Sequence, residues 1–224
     1  MCYTICADIK KDINMIKTII FDFNGTLLDD VKINCEIFNL LARDYSARSI
    51  TMEEYKEVFD FPVIDTYRKW GFDVDNGNFE SIATSFHNYY NSMVYEKCDI
   101  FENAKALLKE LKGKYSLVCL SASKAETLVS QLKHYGIYSY FDEVLGMSDK
   151  YAHGKEVLAR KWMSESKKSK DEIIYIGDTC HDQLVAKALG VKMLSITWGH
   201  NSRHKLSTDG AFIIDDIMEV KNYL

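Results

Sequence analysis

Carboxylate, amide and hydroxyl side chains follow three apolar segments of this chain, at the points where buried strands are expected to end. Asp22 and Asn24 follow the run "TIIF", Ser121 follows "YSLVCL", and Asp178 and Asp182 follow "EIIYIG". In an open parallel sheet, the carboxyl ends of the strands form the edge at which ligands bind. A carboxylate at such an edge can act as a nucleophile, and clustered carboxylates can hold a divalent cation.

These residue types suit the covalent cleavage of a phosphate ester. An Asp carboxylate is ionised at pH 7 and can attack phosphorus directly, which is the role that the position of Asp22 favours. Together, Asp22, Asp178 and Asp182 would repel a phosphate dianion. A divalent cation is therefore needed to screen them and to polarise a phosphoryl oxygen, and Mg²⁺ suits an all-oxygen site that keeps several waters.

The elements that must position these residues follow an α/β pattern. After Ile100, strands and helices alternate, which predicts a parallel sheet with helices on both faces. From Val31 to Tyr95 the pattern is helical throughout, with a capping box at Thr51 and Glu54. We therefore predict a helical cap inserted after the first strand. The predicted divisions are an N-terminal extension (1–14), a core domain (15–29 and 98–224) and a helical cap domain (30–97).

The segment "SKAETLVSQLKHYG" predicts the helix that follows the second strand of the core. Ser123 precedes Glu126 by three residues, which is the spacing of a capping box, and Gly136 is expected to end the helix. Ser123 is therefore predicted to cap this helix.

Four motifs of the chain resemble those of the haloacid dehalogenase-like (HAD) hydrolases, and especially the phosphoglycolate-phosphatase-like members with a helical cap. They are "DFNGT" (22–26), "LVCLSAS" (117–123), "HGK" (153–155) and "YIGDTCHDQLVAKALG" (175–190). The resemblance implies a Rossmann-like core and a phosphatase that works with Mg²⁺ through an aspartyl-phosphate. Its substrate would be a small phosphomonoester, that is, a small phosphorylated metabolite.

The resemblance also assigns roles to individual residues. It implies that the metal is held by Asp22, by the main-chain carbonyl of Asn24 and by Asp178, with Asp182 acting directly or through water. Lys155 would compensate the negative charge of the nucleophile. The catalytic residues it implies are Asp22, Asn24, Ser121 and Lys155, and the phosphate-binding residues are Gly25, Ser121, Ala122 and Lys155.

Asn24 departs from the pattern of the family. Phosphatases of the family normally have a second Asp at this position, which protonates the leaving group and later deprotonates the attacking water. An amide can do neither at neutral pH, and losing a general acid–base typically costs about 10² to 10⁴ in rate. We expect Asn24→Asp to raise turnover, and His153, His181 and His200 are candidates for a substitute acid–base.

Two other functions stay open at this point. Asn24 is compatible with a weakly active or non-catalytic module that binds phosphate or a phosphoprotein. The fold also hosts dehalogenases and phosphonatases, but dehalogenases of the family lack the acidic pattern of Asp178 and Asp182. A phosphonatase needs a reactive cap lysine, and nothing singles out one of the cap lysines Lys56, Lys69 and Lys97.

Substrate selection is expected to belong to the cap. The segment "FDFPVIDTYRKWGF" (59–72) resembles a cap loop that dips toward the site in related phosphatases. Arg68 or Lys69 could read a carboxylate or a second phosphate of the substrate by charge.

The composition of the 224-residue chain excludes several classes of partner. A formal net charge of −5 gives no hint of nucleic-acid binding, and no apolar run approaches the roughly 18 residues of a membrane span. The six cysteines form no CxxC pair, which favours a reducing compartment. We expect a cytoplasmic protein, and the sequence does not predict its oligomeric state.

Overall fold

One parallel sheet forms the centre of the molecule. The computed structural model describes residues 16–75, 77–147, 154–208 and 210–224, so the predicted extension 1–14 and His153 lie outside the described residues. Six strands pair in the order β3-β2-β1-β4-β5-β6, and every pairing is parallel. The strands are β1 (Thr18–Phe21), β2 (Ser116–Lys124), β3 (Glu143–Met147), β4 (Ile173–Gly177), β5 (Lys192–Ile196) and β6 (Phe212–Ile214).

Helices lie between the strands and cover the sheet, which confirms the predicted α/β fold class. The described helices before β2 are α1 (Val31–Asp44), α2 (Met52–Val58), α3 (Val63–Lys69), α4 (Asn78–Lys97) and α5 (Ala104–Leu111). Those after β2 are α6 (Ala125–His134), α7 (Gly154–Ser166), α8 (Cys180–Leu189) and the short α9 (Arg203–Leu206), with 3₁₀ turns at Tyr138–Tyr140, Lys170–Glu172 and Ile217–Tyr223. In the part of the chain that the structure describes, no helix is long and apolar enough to cross a membrane.

The central strand β1 is buried on both faces, as an uninterrupted apolar strand of a parallel sheet should be. Ile19 and Phe21 belong to one hydrophobic cluster, and Ile20 belongs to a second cluster on the other face. Because β1 lies between β2 and β4, the residues that follow these three strands meet at one edge of the sheet. This order brings the distant chemical motifs together.

Helices α1 to α4 lie between β1 and β2 in sequence, within the range 30–97 that we propose as the cap domain. The cap has an aromatic centre, in which Phe38 packs against Trp70 at 4.3 Å and Tyr67 at 4.8 Å between ring centroids. These rings belong to the same buried cluster as Ile19 and Phe21 of the sheet, so the cap is packed against the core.

Of the two capping boxes predicted from the sequence, one is present in the structure and the other is not. Thr51 and Glu54 form the predicted capping box, with bonds of 2.9 and 3.2 Å. The predicted cap at Ser123 is wrong, because β2 extends to Lys124 and α6 begins at Ala125 without a side-chain cap bond. Pairing of Lys124 with Met147 of β3 prolongs the strand past the predicted end.

The loop that precedes Pro62 joins the cap to the core. The carbonyl of Phe59 accepts hydrogen bonds from Asn201 Nδ2 at 2.8 Å and from Lys205 Nζ at 2.7 Å. The ring of Phe61 lies 4.6 Å from the ring of His181, the second residue of α8. This part of the cap therefore lies against the core, next to the helix that carries Asp182.

Candidate active site

Three buried carboxylates form the centre of the candidate site. Asp22 follows β1, and Asp178 and Asp182 follow β4, the strand that pairs with β1. One oxygen from each lies within 4.8 Å of the other two, and each residue is at most 6% exposed. Three carboxylates this close stay ionised together only with a compensating cation, so the donor set fits an oxygen-preferring divalent ion such as Mg²⁺.

Lys155 provides one compensating charge from the first turn of α7. Its Nζ donates to Asp22 Oδ1 and to Asp182 Oδ1, the latter at 2.6 Å, and its side chain is 3% exposed. Burial lowers the pKa of Lys155, but the carboxylates of Asp182 and Asp22 outweigh it and hold the pKa well above its ordinary value. Three carboxylates and one ammonium leave two negative charges, which is the charge that a divalent cation neutralises.

The carboxylates differ in how the protein compensates them. Burial raises the pKa of Asp22 well above its ordinary value despite Lys155, since Asp182 and Asp178 add repulsion. Burial likewise raises the pKa of Asp178 to about 6, although the nearby His200 opposes the shift. The pKa of Asp182 is lowered despite its burial, because Lys155 and Thr179 donate to it. Asp22 and Asp178 are therefore the members that most need a cation to stay ionised.

Asp182 is held by donors on all sides. Its Oδ2 accepts from the hydroxyl of Thr179 at 2.6 Å and from the backbone N–H groups of Thr179 and Asp178. Its Oδ1 accepts from Lys155 and from the hydroxyl of Tyr175 at 3.0 Å. The bond from Thr179 N, together with the bond from Asp182 N to Thr179 Oγ1, is the capping box that starts α8, so helix capping and site geometry depend on the same carboxylate.

Two features require glycine at position 25: its positive φ and the close packing around its Cα. It has φ +71°, and a Cβ there would lie 2.3 Å from Asp178 Oδ2 and 2.4 Å from His200 Cδ2. On the other side, the backbone N–H of His200 donates to Asp178 Oδ2 at 2.6 Å, and Thr26 Oγ1 donates to Oδ1 at 2.9 Å. The loop after β1 and the loop after β5 thus hold Asp178 between them.

Asn24 points its amide oxygen toward the end of β2. Ser123 Oγ donates to Asn24 Oδ1 at 3.1 Å, and Ser121 Oγ approaches the same atom at 3.4 Å. Ser121 is buried, and its oxygen accepts the backbone N–H of Ser123 at 3.0 Å. Because side chains alternate along a strand, Ala122 lies between them on the opposite face and is exposed. Ser123, predicted as a helix cap, is instead a neighbour of the site.

The nitrogen of Asn24 points toward a buried polar network around Asp30. Asn24 Nδ2 donates to Asp30 Oδ2 and to Tyr90 Oη of α4, both at 2.8 Å. Asp30 also accepts from Gly25 N at 2.9 Å and from Asn34 Nδ2 at 3.1 Å. The network therefore joins the loop after β1 to the cap helices α1 and α4.

His200 extends this network to another part of the cap. Its Nε2 lies 3.2 Å from Asp30 Oδ1, and its Nδ1 lies 2.7 Å from the hydroxyl of Tyr55 in α2. Burial lowers the pKa of His200, but the hydrogen bond and charge of Asp30 raise it above its ordinary value. In turn, burial raises the pKa of Asp30, while His200, Asn24 and Tyr90 bring it below its ordinary value.

The structure brings together most of the predicted site residues at one edge of the sheet. They are Asp22 and Asn24 after β1, Ser121 in β2, Asp178 and Asp182 after β4, and Lys155 of α7. Arg68 is different, because it is half-exposed and pairs with Asp65 at 2.6 Å and Asp75 at 3.7 Å. Lys69 is exposed on the same helix. Their role in substrate recognition stays a prediction that this geometry does not support.

Sequence reasoning missed several residues of the site. Thr26 and Asp30 lie close to Asp22 in sequence, and the acidic pair at the end of "TLLDD" was the available signal for Asp30. Tyr90 and Tyr55 carried no comparable signal, since both look like ordinary apolar positions of an amphipathic cap helix. Only the packing of cap on core places their hydroxyls in the network.

Comparison with known proteins relates this geometry to one family. Residues 19–196 match the family model described as haloacid dehalogenase-like hydrolase. Phosphoglycolate phosphatase of Vibrio cholerae is 27% identical over 222 residues, which cover 90% of this chain and 94% of that protein. A protein named tyrosine-protein kinase PtkA of Mycobacterium tuberculosis is 23% identical over 185 residues, which cover 81% of this chain and 62% of that protein.

The solved structures support the same fold. A haloacid dehalogenase-like family hydrolase from Streptococcus pneumoniae superposes with a TM-score of 0.78 at 23% sequence identity. The match covers 94% of this chain and 99% of that one. At this identity the likeness shows the fold, and the chemistry must come from the residues of the site.

Proposed function

Since the chain belongs to the haloacid dehalogenase-like hydrolase family, we propose that it is a Mg²⁺-dependent phosphohydrolase that cleaves a small phosphomonoester through an aspartyl-phosphate on Asp22. The observation that carries this proposal is the buried cluster of Asp22, Asp178 and Asp182 with Lys155 donating to two of its members. Three carboxylates and one ammonium match the needs of an anionic nucleophile, a divalent cation and an anionic substrate.

Asp22 is suited to nucleophilic attack because one of its carboxylate oxygens is held by a hydrogen bond and the other is not. Lys155 holds Oδ1, and among the described residues no other side chain donates a hydrogen bond to the carboxylate. The free Oδ2 forms the bond to phosphorus while the bond between phosphorus and the leaving oxygen breaks, and the leaving group departs with the electron pair. Lys155 keeps Asp22 oriented and compensates its charge.

The proposed metal ligands are Asp22, the carbonyl of Asn24 and Asp178. When bound, Mg²⁺ supplies charge neutralisation and polarises a phosphoryl oxygen. We assign Asp182 an indirect role through water, because five donors of the protein already converge on its two oxygens. Its lone pairs orient Lys155 and the loop after β4.

Ser121, Lys155 and the loop from 121 to 123 are the proposed contacts of the transferring phosphoryl group. Ser121 and Ser123 place hydroxyls beside Asn24, at the carboxyl end of β2 next to Asp22. Ala122 is exposed between them, and we propose that its backbone N–H donates to a phosphoryl oxygen.

The experiment is phosphate release from 4-nitrophenyl phosphate by the purified protein, with Mg²⁺ and with a chelator. The expected result is Mg²⁺-dependent turnover in the wild type and none above background in Asp22→Asn. Equal rates in the two proteins across a panel of aryl, alkyl and sugar phosphates would refute the enzymatic proposal.

Asn24 favours one second candidate, a module that binds phosphate or a phosphoprotein with little turnover. The two candidates differ in what happens after binding. A binding module would show Mg²⁺-dependent phosphate binding by calorimetry without release of the aryl product, whereas the enzyme releases product repeatedly.

A further inference from the structure

The amide of Asn24 has one preferred orientation, because the groups on its two sides differ in whether they donate or accept hydrogen bonds. Asp30 is surrounded by donors, since Gly25 N, Asn34 Nδ2 and Tyr90 Oη all donate to its carboxylate. A carboxylate that accepts from three sides offers no proton of its own, so the group of Asn24 that faces it must be the nitrogen.

The Asn24 nitrogen is therefore directed toward this network, where it lies 2.8 Å from Asp30 Oδ2 and 2.8 Å from Tyr90 Oη. The amide oxygen is left to face Ser121 and Ser123 at the phosphoryl site. Residue 24 thus directs its amide oxygen, together with the two serine hydroxyls, toward the phosphoryl site and directs its nitrogen away from that site.

We infer that Asp30 is a positioning residue that fixes the Asn24 amide oxygen toward the phosphoryl site and makes the enzyme selective for phosphate compounds whose leaving group departs without receiving a proton. Aryl phosphates, acyl phosphates and phosphoanhydrides belong to this class, and simple alkyl phosphates do not. The inference rests on the proposed function and specifies its substrate class.

The chemistry of both steps is consistent with an acceptor at position 24. In the first step, Asp22 bonds to phosphorus and the leaving oxygen departs as an anion, which an acidic leaving group tolerates. In the second step, a water oxygen bonds to phosphorus and the bond between phosphorus and Asp22 breaks. Once the Ser121 hydroxyl contacts the phosphoryl group instead of Asn24 Oδ1, that oxygen accepts one hydrogen of the attacking water, and both hydrogens leave with the released phosphate.

The same contact changes the expected effect of an aspartate at position 24. In Asn24→Asp, a carboxyl oxygen would replace the nitrogen that lies 2.8 Å from Asp30. Two carboxyl groups at this distance share a single proton, and that proton would lie between them, away from the leaving group. The single substitution therefore does not supply a general acid, contrary to the expectation from the motif alone.

The test is a double-mutant cycle of Asn24→Asp and Asp30→Asn, assayed with 4-nitrophenyl phosphate and with an alkyl phosphate. The reference value is kcat/KM of Asn24→Asp alone for the alkyl phosphate, which should not exceed that of wild type. We expect the double variant to raise it at least about tenfold, toward the 10² to 10⁴ typical of a general acid. An equal gain in the single and the double variant would overturn the inference.

Asp29→Asn is the matched control, because Asp29 adjoins Asp30 in sequence but its side chain is exposed. Combined with Asn24→Asp, it should add nothing to the alkyl phosphate rate. A gain equal to that of the Asp30→Asn combination would show that any loss of charge suffices, which would also overturn the inference.

A second readout is independent of turnover. In Mg²⁺-free buffer, Asn24→Asp should lower the unfolding temperature by at least about 4 °C when Asp30 is present, and by much less in the Asp30→Asn background. Strictly additive shifts would overturn the inference even if the protein proves to be inactive. Inactivity of the wild type together with non-additive shifts would instead refute only the proposed function.

Discussion

Replacing Lys155 by Met should destabilise the metal-free protein strongly. Lys155 is 3% exposed and donates to Asp22 and Asp182, so its removal raises the excess negative charge of the cluster from two to three. Removing one partner of a buried ion pair typically lowers the free energy of unfolding by about 3 to 5 kcal/mol. For a chain of this size, each kcal/mol lowers the unfolding temperature by about 2 to 4 °C, so the expected loss is about 6 to 20 °C.

The assay is thermal unfolding at pH 7.5 in a chelating buffer, with Lys161→Met as the control. Lys161 lies on the same helix α7 but is exposed, so its loss should move the transition by less than about 2 °C. The loss in Lys155→Met should shrink at pH 5, because carboxylates without the ammonium take up protons at higher pH. Equal unfolding temperatures for Lys155→Met and Lys161→Met would refute the charge assignment of the site.

Three further predictions test separate parts of the structure. The pKa of Asp178 is raised to about 6, so the metal-free protein should lose stability as the pH rises through about 6. Added Mg²⁺ should restore the stability at pH 7.5 but much less at pH 5. Unfolding curves measured with and without Mg²⁺ at the two pH values test this prediction. Gly25→Ala should abolish turnover and should destabilise the protein by more than Gly113→Ala does, as denaturant unfolding will measure. A Cβ at Gly113 meets nothing within 4 Å, so Gly113→Ala is opposed only by the positive φ, which costs about 1 to 2 kcal/mol. Thr51→Ala should remove the capping box of α2 and lower the free energy of unfolding by about 1 kcal/mol, and no change would show that the box is not formed.

The order of elements, and most of the residues that meet at the candidate site, could be predicted from the sequence. The apolar runs before Asp22 and Asp178 become adjacent strands, and the glycine after α8 ends that helix in the left-handed conformation, as its type predicts. Local rules work for these features because a buried parallel strand and a helix end each impose their requirement on nearby residues. Ser123 shows the limit, since strand pairing with β3 overrode a good capping signal.

The cap residues that complete the site could not be found this way. Tyr90 is 60 positions from Asp30 in sequence, and its hydroxyl donates to Asp30 over 2.8 Å only because α4 packs against the loop after β1. Tyr55 reaches His200 in the same way from α2. A tyrosine on an amphipathic helix has the same local pattern whether its hydroxyl meets solvent or a buried carboxylate.

From the sequence alone come the groups for the proposed chemistry: an aspartate after the first strand, two further carboxylates, one lysine, and an asparagine where the family resemblance implies an acid. The packing around this asparagine sets the direction of its amide. Its amide could face the substrate with a donor or with an acceptor, and the motif does not distinguish the two. The buried carboxylate of Asp30 accepts hydrogen bonds, so the nitrogen of Asn24 faces Asp30 and its oxygen faces Ser123 at the proposed phosphoryl site.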